Sequence, residues 1–484
     1  MVSLRKALVA VDLGAQSCRV SLLRWKSETP EICVVHRFPN APVRSQEGLH
    51  WDIDRIFAGV EAGLRQCAEL AMEGIASVGI DGWAVDYVRL DADGKRLGDP
   101  FCYRDERTAR AMREVFKIIS PEKLYHLTGI QILSLNSLFQ LYADKIAGVE
   151  AESRWLNLPE YITHLLGGRP VAEYTNATHT QLVSLGEQKW CEEIFRATGL
   201  AISAASEIVR TGTFVGSIAG ELSRLPAFSD TQLIVPACHD TASAIAAIPA
   251  AGDDWAFISS GTWSLVGTIL PRPCVGDEAR KMNFTNLGGV GGTICFLKNV
   301  IGMWLLRQCI EEWAKAGQDW TVSELLRECE KLSGPNYLID VDDPQLMVPG
   351  DLPARINVQL RDAGHASLPL DRTGIPQMAN LIFHSLAQRY AEVLDAVART
   401  TDKKLKRLFI VGGGGRNQFL NRLTAERTGL EVHCGASEAS TIGNFAVQLA
   451  ALNHGELGRD GVNATEVAQL AEFLTSVPFS GFME

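Results

Sequence analysis

The chain has 484 residues, 46% of them hydrophobic and 21% charged, with a formal net charge of −11. This length is too great for one hydrophobic core and predicts two domains of about 200–250 residues each. The acidic balance gives no general attraction to nucleic acids or anionic membranes, so neither is predicted as a partner. The eleven cysteines form no C-x-x-C pair and no apolar run reaches ~18 residues, which favours reduced thiols in a cytoplasmic protein.

Strand and helix patterns alternate through the first half. In chain order they predict strands at 6–11, 18–24 and 32–38, a helix over 56–72 and a strand at 76–80. Asp52 or Asp54 is the expected N-cap of the helix. Antiparallel neighbours followed by a helix and a further strand predict a mixed α/β sheet. The region 110–230 is richer in polar residues and is interpreted as insertions on the first domain.

The second half repeats this order. A hairpin is predicted at 256–269, and a long helix over 376–400 carries one apolar stripe at spacings of three and four. A strand at 408–411 then meets a run of glycines, followed by a helix that ends near Gly429.

Two segments, 10–19 and 258–264, share a pattern of an apolar strand, a glycine and small hydroxyl or amide residues. A hairpin of this kind offers backbone N–H groups to phosphate. Its occurrence in both halves predicts two related domains that hold one polyphosphate. Asp12 is interpreted as a carboxylate near Mg²⁺ or as an ordinary turn residue, and Arg19 as a phosphate partner or an exposed strand residue. Ser259 stands where the first copy has Asp12, which fits one metal held by one half.

The segment 236–244 places His239, Asp240 and Thr241 between a predicted strand and an alanine-rich helix. Asp240 is a candidate general base, since polar groups at the carboxyl end of a strand commonly bind ligands in α/β sheets. The alternative is that Asp240 or Thr241 only caps the helix.

Three further sequence features each have two interpretations. The run Gly412–Gly415 lets backbone approach an adenine or phosphate, and its match to a dinucleotide fingerprint is incomplete. Trp83 is expected to stack on a sugar ring or to lie in the core, with Asp86 in a surface turn in the second case. Asn299 is expected to bind a substrate hydroxyl or to cap the following helix.

Together these stretches resemble the FGGY carbohydrate kinases of the actin/hexokinase-like ATPase superfamily. The resemblance rests on Asp12–Arg19, Ser260–Ser264 and Gly412–Gly415, and on narrower matches at 80–86, 103–108, 173–178, 239–244 and 297–302. It implies an α/β fold of two ribonuclease-H-like ATPase domains, 1–245 and 246–484, with a nucleotide and sugar cleft between them.

The resemblance further implies ATP-dependent phosphorylation of L-rhamnulose at its 1-hydroxyl, in L-rhamnose catabolism, by a monomer or homodimer. Asp240 would be the catalytic base and Asp12 would lie near Mg²⁺. The residues implied to bind the ketose are Trp83, Ala84, His239, Asp240, Thr241 and Asn299. Those implied to bind ATP are Gly14, Ala15, Gln16, Ser17, Cys18, Arg19, Gly261, Thr262, Gly412, Gly413 and Gly414.

Three positions depart from the family pattern. Cys18 and Ala84 stand where glycine is expected, and Arg307 stands where glutamine is expected near the nucleotide. The methyl group of Ala84 can shift preference between similar sugars by roughly 1–3 kcal/mol. Ala84 therefore supports one alternative, a kinase for another ketose such as L-fuculose or xylulose. Two further alternatives are a regulatory pseudokinase and an actin-like nucleotide switch without kinase activity.

Overall fold

The computed structural model describes residues 6–26, 29–150, 152–348, 350–436, 438–454, 461–477 and 479–480. The chain divides into two compact units. Unit 1 comprises Met1–Ala250, Ile269–Phe296 and Glu438–Glu484, and unit 2 comprises Ala251–Thr268 and Leu297–Ser437. The domain division between residues 245 and 246 stays a prediction.

The strands, in chain order, are β1 (Ala7–Leu13), β2 (Ser17–Lys26), β3 (Thr29–Pro39), β4 (Val43–Arg44), β5 (Leu49–His50), β6 (Ile75–Gly82), β7 (Tyr87–Leu90), β8 (Arg154–Asn157), β9 (Val171–Glu173), β10 (Glu207–Val209), β11 (Phe214–Ser217), β12 (Gln232–Ile234), β13 (Trp255–Ser260), β14 (Trp263–Leu270), β15 (Thr285–Gly288), β16 (Ile294–Ile301), β17 (Arg407–Val411), β18 (Glu431–Cys434) and β19 (Phe479–Ser480).

The α-helices are α1 (Ile53–Leu70), α2 (Thr108–Ile118), α3 (Pro121–Thr128), α4 (Ser137–Ile146), α5 (Leu158–Leu165), α6 (Tyr174–His179), α7 (Glu192–Thr198), α8 (Asp240–Ala246), α9 (Asp277–Lys281), α10 (Trp304–Lys315), α11 (Val322–Cys329), α12 (Leu352–Asp362), α13 (Ile375–Thr401), α14 (Gln418–Thr428), α15 (Ala439–Asn453) and α16 (Ala464–Thr475). Short 3₁₀ turns include Gly413–Arg416.

Unit 1 is built on a sheet with the strand order β11–β12–β6–β1–β2–β3–β19. β1 pairs antiparallel with β2 and parallel with β6, and β6 pairs parallel with β12. The predicted mixed sheet is confirmed. Every residue of the central strand β1 is buried, as expected for a strand covered on both faces. α1 begins at Asp52, whose carboxylate accepts from the Arg55 N–H at 3.0 Å, so Asp52 is the N-cap.

In unit 2 the strands run in the order β16–β14–β13–β17–β18. β13 and β14 form the predicted hairpin, and β17 pairs parallel with β13 and β18. The predicted long helix is α13, and the predicted stripe is buried throughout: Met378, Ile382, Leu386, Tyr390, Val393 and Val397. α14 ends at Gly429, which adopts the left-handed conformation expected of a C-cap glycine.

The region 110–230 lies in unit 1 and contains helices α2 to α7 and strands β8 to β11. It forms a core of its own around α2, α4 and α7, with Phe139 and Trp155 among its buried residues. Within the described ranges, no helix is long and apolar enough to cross a membrane.

Candidate active site

The first predicted hairpin is present in unit 1. Asp12 lies opposite Arg19 in the β1–β2 register, and the turn begins at Gly14. A Cβ atom at Gly14 would lie 2.4 Å from the Ser17 carbonyl oxygen, so a larger residue would force the turn to shift. Asn40 donates from its side-chain amide to the Gly14 carbonyl at 3.0 Å. The strand–glycine–strand arrangement is confirmed, and its phosphate ligand stays a prediction.

Cys18 fills the inside of this hairpin. Its thiol is buried and donates to the Gly14 carbonyl at 3.6 Å. Burial, followed by the charge of Asp12, raises the pKa of the Cys18 thiol to about 12. Cys18, which stands where the family pattern has glycine, therefore packs within the turn as a neutral thiol. Ala15 and Gln16 form the turn itself, and Ser17 begins β2.

Asp12 and Arg19 are held by partners from the far end of the sequence. Asp12 is 2% exposed in a strand, so the turn interpretation is wrong. It accepts a short hydrogen bond from the Ser440 hydroxyl, and an Arg19 Nη2 atom lies 3.3 Å from its Oδ2. Arg19 also pairs closely with Glu438. The Arg19 side chain is only 21% exposed, so the exposed-residue interpretation is wrong as well.

A second carboxylate adjoins Asp12. Asp81 is the register partner of Asp12 on β6 and is completely buried. Its Oδ2 accepts from the Asn444 side chain at 2.6 Å, and its Oδ1 has no hydrogen-bond partner among the described residues. Burial and then the charge of Asp12 raise the pKa of Asp81 well above its usual range. Two buried carboxylates this close disfavour the ionised form of Asp81 unless a cation lies beside them.

Asp240 is the first residue of α8. His239 is the N-cap and makes no side-chain capping bond, so the capping interpretation of Asp240 and Thr241 is wrong. The Thr241 hydroxyl donates to Asp240 Oδ1 at 3.2 Å. Loss of water around this half-buried carboxylate, followed by the charge of Asp12, raises the pKa of Asp240 to about 7. A carboxylate with that pKa is suited to accept a proton at neutral pH.

His239 packs against a histidine that sequence patterns did not single out. The rings of His239 and His179 are 4.7 Å apart and perpendicular, and both are buried. Burial lowers the pKa of His179 to about 4 and that of His239 well below its usual value. Both imidazoles are therefore neutral at neutral pH and can donate or accept hydrogen bonds.

The segment after β6 is fixed by a buried aspartate. Asp86 is fully buried and accepts from Trp51 Nε1 at 2.6 Å, Trp83 Nε1 at 3.0 Å, Gln140 Nε2 at 3.0 Å and the Tyr103 N–H at 3.2 Å. The interpretation of Asp86 as a surface turn residue is wrong. Trp83 is 6% exposed and its indole lies 4.6 Å from that of Trp51, as the core interpretation expects. Stacking of Trp83 on a sugar stays a prediction.

Backbone strain lies in the same turn. Val85 has a φ of 73°, a conformation that a β-branched residue rarely adopts. Its carbonyl accepts from the Ser137 hydroxyl at 2.6 Å and from the Gln140 side chain at 3.2 Å. Strained residues that the surroundings hold in place concentrate at ligand sites. Ala84, the preceding residue, is buried.

Three chain segments of unit 1 meet at the ends of β1, β6 and β12. The Trp83 N–H donates to the Leu13 carbonyl at 3.1 Å, and the Gly82 N–H donates to the Cys238 carbonyl at 2.9 Å. The first hairpin, the Trp83–Asp86 turn and the loop that carries Asp240 are thus joined by backbone hydrogen bonds. This is the edge of an α/β sheet where ligands commonly bind.

The second hairpin and the glycine run lie together in unit 2. Ser260 lies opposite Ser264 in the β13–β14 register, and Gly261 and Thr262 form the turn. The Ser264 hydroxyl is 2.6 Å from the Tyr390 hydroxyl. A Cβ atom at Gly414 would lie 1.9 Å from Ser260 Oγ, so the glycine run packs directly on this hairpin.

Asn299 lies inside β16, whereas α10 begins five residues later with Met303 as its N-cap. The interpretation of Asn299 as a helix cap is therefore wrong, and its role toward a substrate stays a prediction. Arg307 lies on α10, where its Nε atom is 3.3 Å from the Glu311 carboxylate.

Comparison with known proteins gives the same family as these motifs. The FGGY family of carbohydrate kinases matches with its N-terminal domain over residues 7–247 and its C-terminal domain over residues 256–452. The chain belongs to the FGGY family of carbohydrate kinases. It is 36% identical to a rhamnulokinase of Bacteroides thetaiotaomicron over 99% of this chain and 96% of that protein, and 38% identical to a rhamnulokinase of Enterobacter sp. strain 638 over 92% and 89%.

The fold is that of solved FGGY kinases. A ligand-bound xylulose kinase from Lactobacillus acidophilus superposes with a TM-score of 0.74 at 16% sequence identity, over 98% of this chain and 97% of that one. At this identity the likeness concerns the fold alone. The predicted two-domain α/β kinase fold is confirmed.

A Mg²⁺ ion would have few protein ligands in this FGGY kinase. Among the described residues, no group of three or more histidine, cysteine, aspartate or glutamate side chains could hold a metal. Mg²⁺ in kinases is typically held by one or two carboxylates together with phosphates and water. Asp12 and the unpartnered Oδ1 of Asp81 fit that kind of site, and they do not fit a site made of protein ligands alone.

Several residues around the site were not found from the sequence. Glu438, Ser440 and Asn444 lie on or just before α15 and contact Asp12, Arg19 or Asp81 from more than 350 positions away. A signal was available in the sequence, since Ser440, Asn444 and Gln448 recur every four residues along the mostly apolar α15.

Proposed function

We propose that this FGGY carbohydrate kinase transfers the γ-phosphoryl group of ATP to the 1-hydroxyl of L-rhamnulose. The substrate rests on identities of 34–38% to curated rhamnulokinases over most of the chain. The transfer rests on one observation above all, the Asp240 carboxylate at the joined ends of β1, β6 and β12, where its raised pKa suits it to take a proton. A cytoplasmic location is proposed with it, since the eleven cysteines form no disulfide.

Asp240 acts as the general base. It takes the proton of the 1-hydroxyl as the hydroxyl oxygen bonds to the γ-phosphorus, and the bond from that phosphorus to the ADP oxygen breaks. The products are L-rhamnulose 1-phosphate and ADP. Asp240 then releases the proton to solvent and returns to its carboxylate form. Phosphoryl transfer needs positioning and charge neutralisation more than covalent participation of the protein.

Apart from Asp240, the residues proposed to bind the sugar offer neutral groups. His239, Thr241 and the Trp83–Ala84 turn bind hydroxyls of the ketose, and Asn299 contributes an amide. The burial of His239, Trp83 and Ala84 favours recognition by hydrogen bonds without competing water.

The ATP phosphates lie against the two hairpins and the glycine run. The residues proposed to bind them are Gly14, Ala15, Gln16, Ser17, Cys18 and Arg19 of the first hairpin, and Gly261, Thr262, Gly412, Gly413 and Gly414 of the second hairpin and the glycine run. Asp12 would hold Mg²⁺, which neutralises phosphate charge when bound.

Kinase assays with a panel of ketoses test the proposal. Each assay would contain Mg·ATP and one ketose, and ADP release would be followed through a coupled colour change. The ketoses are L-rhamnulose, L-fuculose, D-xylulose, L-ribulose and D-fructose. We expect the highest kcat/KM with L-rhamnulose. Preference for another ketose would keep the kinase and replace the substrate, with Ala84 as the first cause to examine. Absence of turnover with every sugar would favour the nucleotide-switch or pseudokinase alternative.

Substitution of the proposed base tests the mechanism. Asp240→Asn should bind ATP and fold normally, and kcat should fall about 10²–10⁴-fold because the amide cannot take a proton. Asp230→Asn is the matched control, since Asp230 is a 77% exposed aspartate in the same unit. Normal turnover by Asp240→Asn would remove Asp240 as the base.

A further inference from the structure

A buried glutamate lies behind the loop that carries Asp240. Glu173 is completely buried at the end of β9. Its Oε2 accepts from the Thr175 N–H at 3.0 Å, the Thr175 hydroxyl at 2.5 Å and the Cys238 N–H at 3.0 Å. Its Oε1 accepts from the Thr211 hydroxyl at 2.7 Å. Both carboxylate oxygens are therefore engaged.

Two of these contacts lead to the proposed base. The Cys238 N–H binds Glu173 directly, and the next N–H, that of His239, donates to the Thr175 hydroxyl at 3.3 Å. Thr175 in turn donates that hydroxyl proton to Glu173, so one carboxylate oxygen fixes two consecutive peptide groups. Asp240 is the next residue along the chain.

A second buried acid holds Glu173 in place. Glu160 Oε1 accepts from the Glu173 N–H at 3.1 Å, and Glu160 Oε2 accepts from the Asn176 side chain at 2.9 Å. Burial of two neighbouring acids costs stability that an apolar pair would not cost. Packing alone therefore does not account for Glu160 and Glu173.

We propose that Glu173 is a positioning residue, which fixes the Cys238 and His239 peptide groups and thereby sets the direction from which Asp240 meets the reacting hydroxyl. This inference rests on the proposed function, since it takes Asp240 as the base. Glu173 itself contacts neither the sugar nor ATP in this scheme. Its effect should therefore fall on kcat, with little effect on the KM for ATP.

The test compares Glu173→Ala with the conservative Glu173→Gln. The glutamine oxygen can take the place of Oε2 and keep the Cys238 and Thr175 contacts, and its amide can donate to the Thr211 hydroxyl. We expect kcat to fall about 10²-fold for alanine, as for small misplacements of catalytic groups, and less than about tenfold for glutamine. Thr211→Val is the matched control, because it removes a contact to the other oxygen and leaves the loop contacts intact; its kcat should stay within about threefold.

A second pair covers the case in which Glu173→Ala does not fold. Thr175→Val removes the hydroxyl that binds the His239 N–H, and Thr175→Ser retains it. We expect kcat to fall about tenfold for valine and to stay near normal for serine. Folded fraction is measured by circular dichroism and the number of competent sites by ATP-binding stoichiometry, so that kcat refers to folded enzyme.

The outcomes separate this inference from the proposed function. Normal kcat in folded Glu173→Ala and Thr175→Val, together with an inactive Asp240→Asn, would overturn the positioning role and leave Asp240 as the base. Equal losses for Glu173→Ala and Glu173→Gln would also overturn it, because the geometry predicts rescue by glutamine. An active Asp240→Asn would instead contradict the function on which the inference rests.

Discussion

The two hairpins share a backbone design and differ in their chemistry. In unit 1 the facing residues Asp12 and Arg19 are charged, and Glu438 and Ser440 complete a network of charges and hydrogen bonds. In unit 2 the facing residues are Ser260 and Ser264, with Tyr390 and the glycine run as their neighbours.

Under the proposed function, the two hairpins would contact phosphate by different chemistry. A hairpin that holds charged side chains can place a metal and a guanidinium beside phosphate, while a neutral one relies on backbone N–H groups and close approach. Buried acids follow the same division: Asp81, Asp86, Glu160 and Glu173 all lie in unit 1.

Among changes to the two hairpins, the largest effect is expected from removal of charge in the first hairpin. Asp12→Asn should lower kcat/KM for Mg·ATP about 10²–10³-fold, because the amide binds a cation poorly and no longer balances Arg19. Steady-state kinetics over a range of Mg²⁺ concentrations would measure this. If added Mg²⁺ has the same effect on both proteins, Asp12 is not a metal partner.

The free energy of unfolding should depend on pH through the buried acids of unit 1. Burial, followed by the charge of Glu173, raises the pKa of Glu160 from 4.5 to about 8. Its stabilising contribution is therefore complete below about pH 4.5 and is lost as pH rises through about 8. Relative to Glu160→Gln, the wild-type protein should lose a few kcal/mol of stability across this window. Thermal unfolding of both proteins from pH 5 to 9 is the measurement, and a constant difference would contradict the assignment.

A larger residue in the glycine run should destabilise the second hairpin. Gly414→Ala places a methyl group against Ser260 and should cost about 1–3 kcal/mol of stability. Gly413→Ala is the control, because a Cβ there meets nothing within 4 Å. Unfolding without nucleotide should separate the two variants. Calorimetric titration with ATP then tests Gly413 independently, since a methyl group weakens binding if nucleotide packs on that glycine.

The smallest effect is expected at Tyr390. Tyr390→Phe removes the hydrogen bond to Ser264 and should cost about 1 kcal/mol of stability, with ATP affinity little changed. Denaturant unfolding with a parallel measurement of ATP affinity would check this. A large loss of affinity would show that the hydroxyl pair does more than support the hairpin.

The sequence predicts the elements and the turns well because their signals are local. Short apolar runs identified β1 and β6, helical periodicity identified α13, and glycine followed by small hydroxyl or amide residues identified both hairpins. Asp240 was found for the same reason, since a strand, a polar pair and an alanine-rich helix are adjacent in the chain. That neither Asp240 nor Thr241 is the N-cap of α8 was not predictable, because either residue fits the sequence pattern of an N-cap.

What only the tertiary structure decided is which charges are buried and what they contact. The Arg19–Glu438 pair spans 419 positions, and Asp86 gathers donors from four separate segments. The burial of Asp86 was therefore not predictable, and a surface turn was one of the two interpretations that its sequence left open. Periodicity and turn chemistry act within a few residues and can be read along the chain, whereas desolvation and pairing of charges depend on which distant segments the fold brings together.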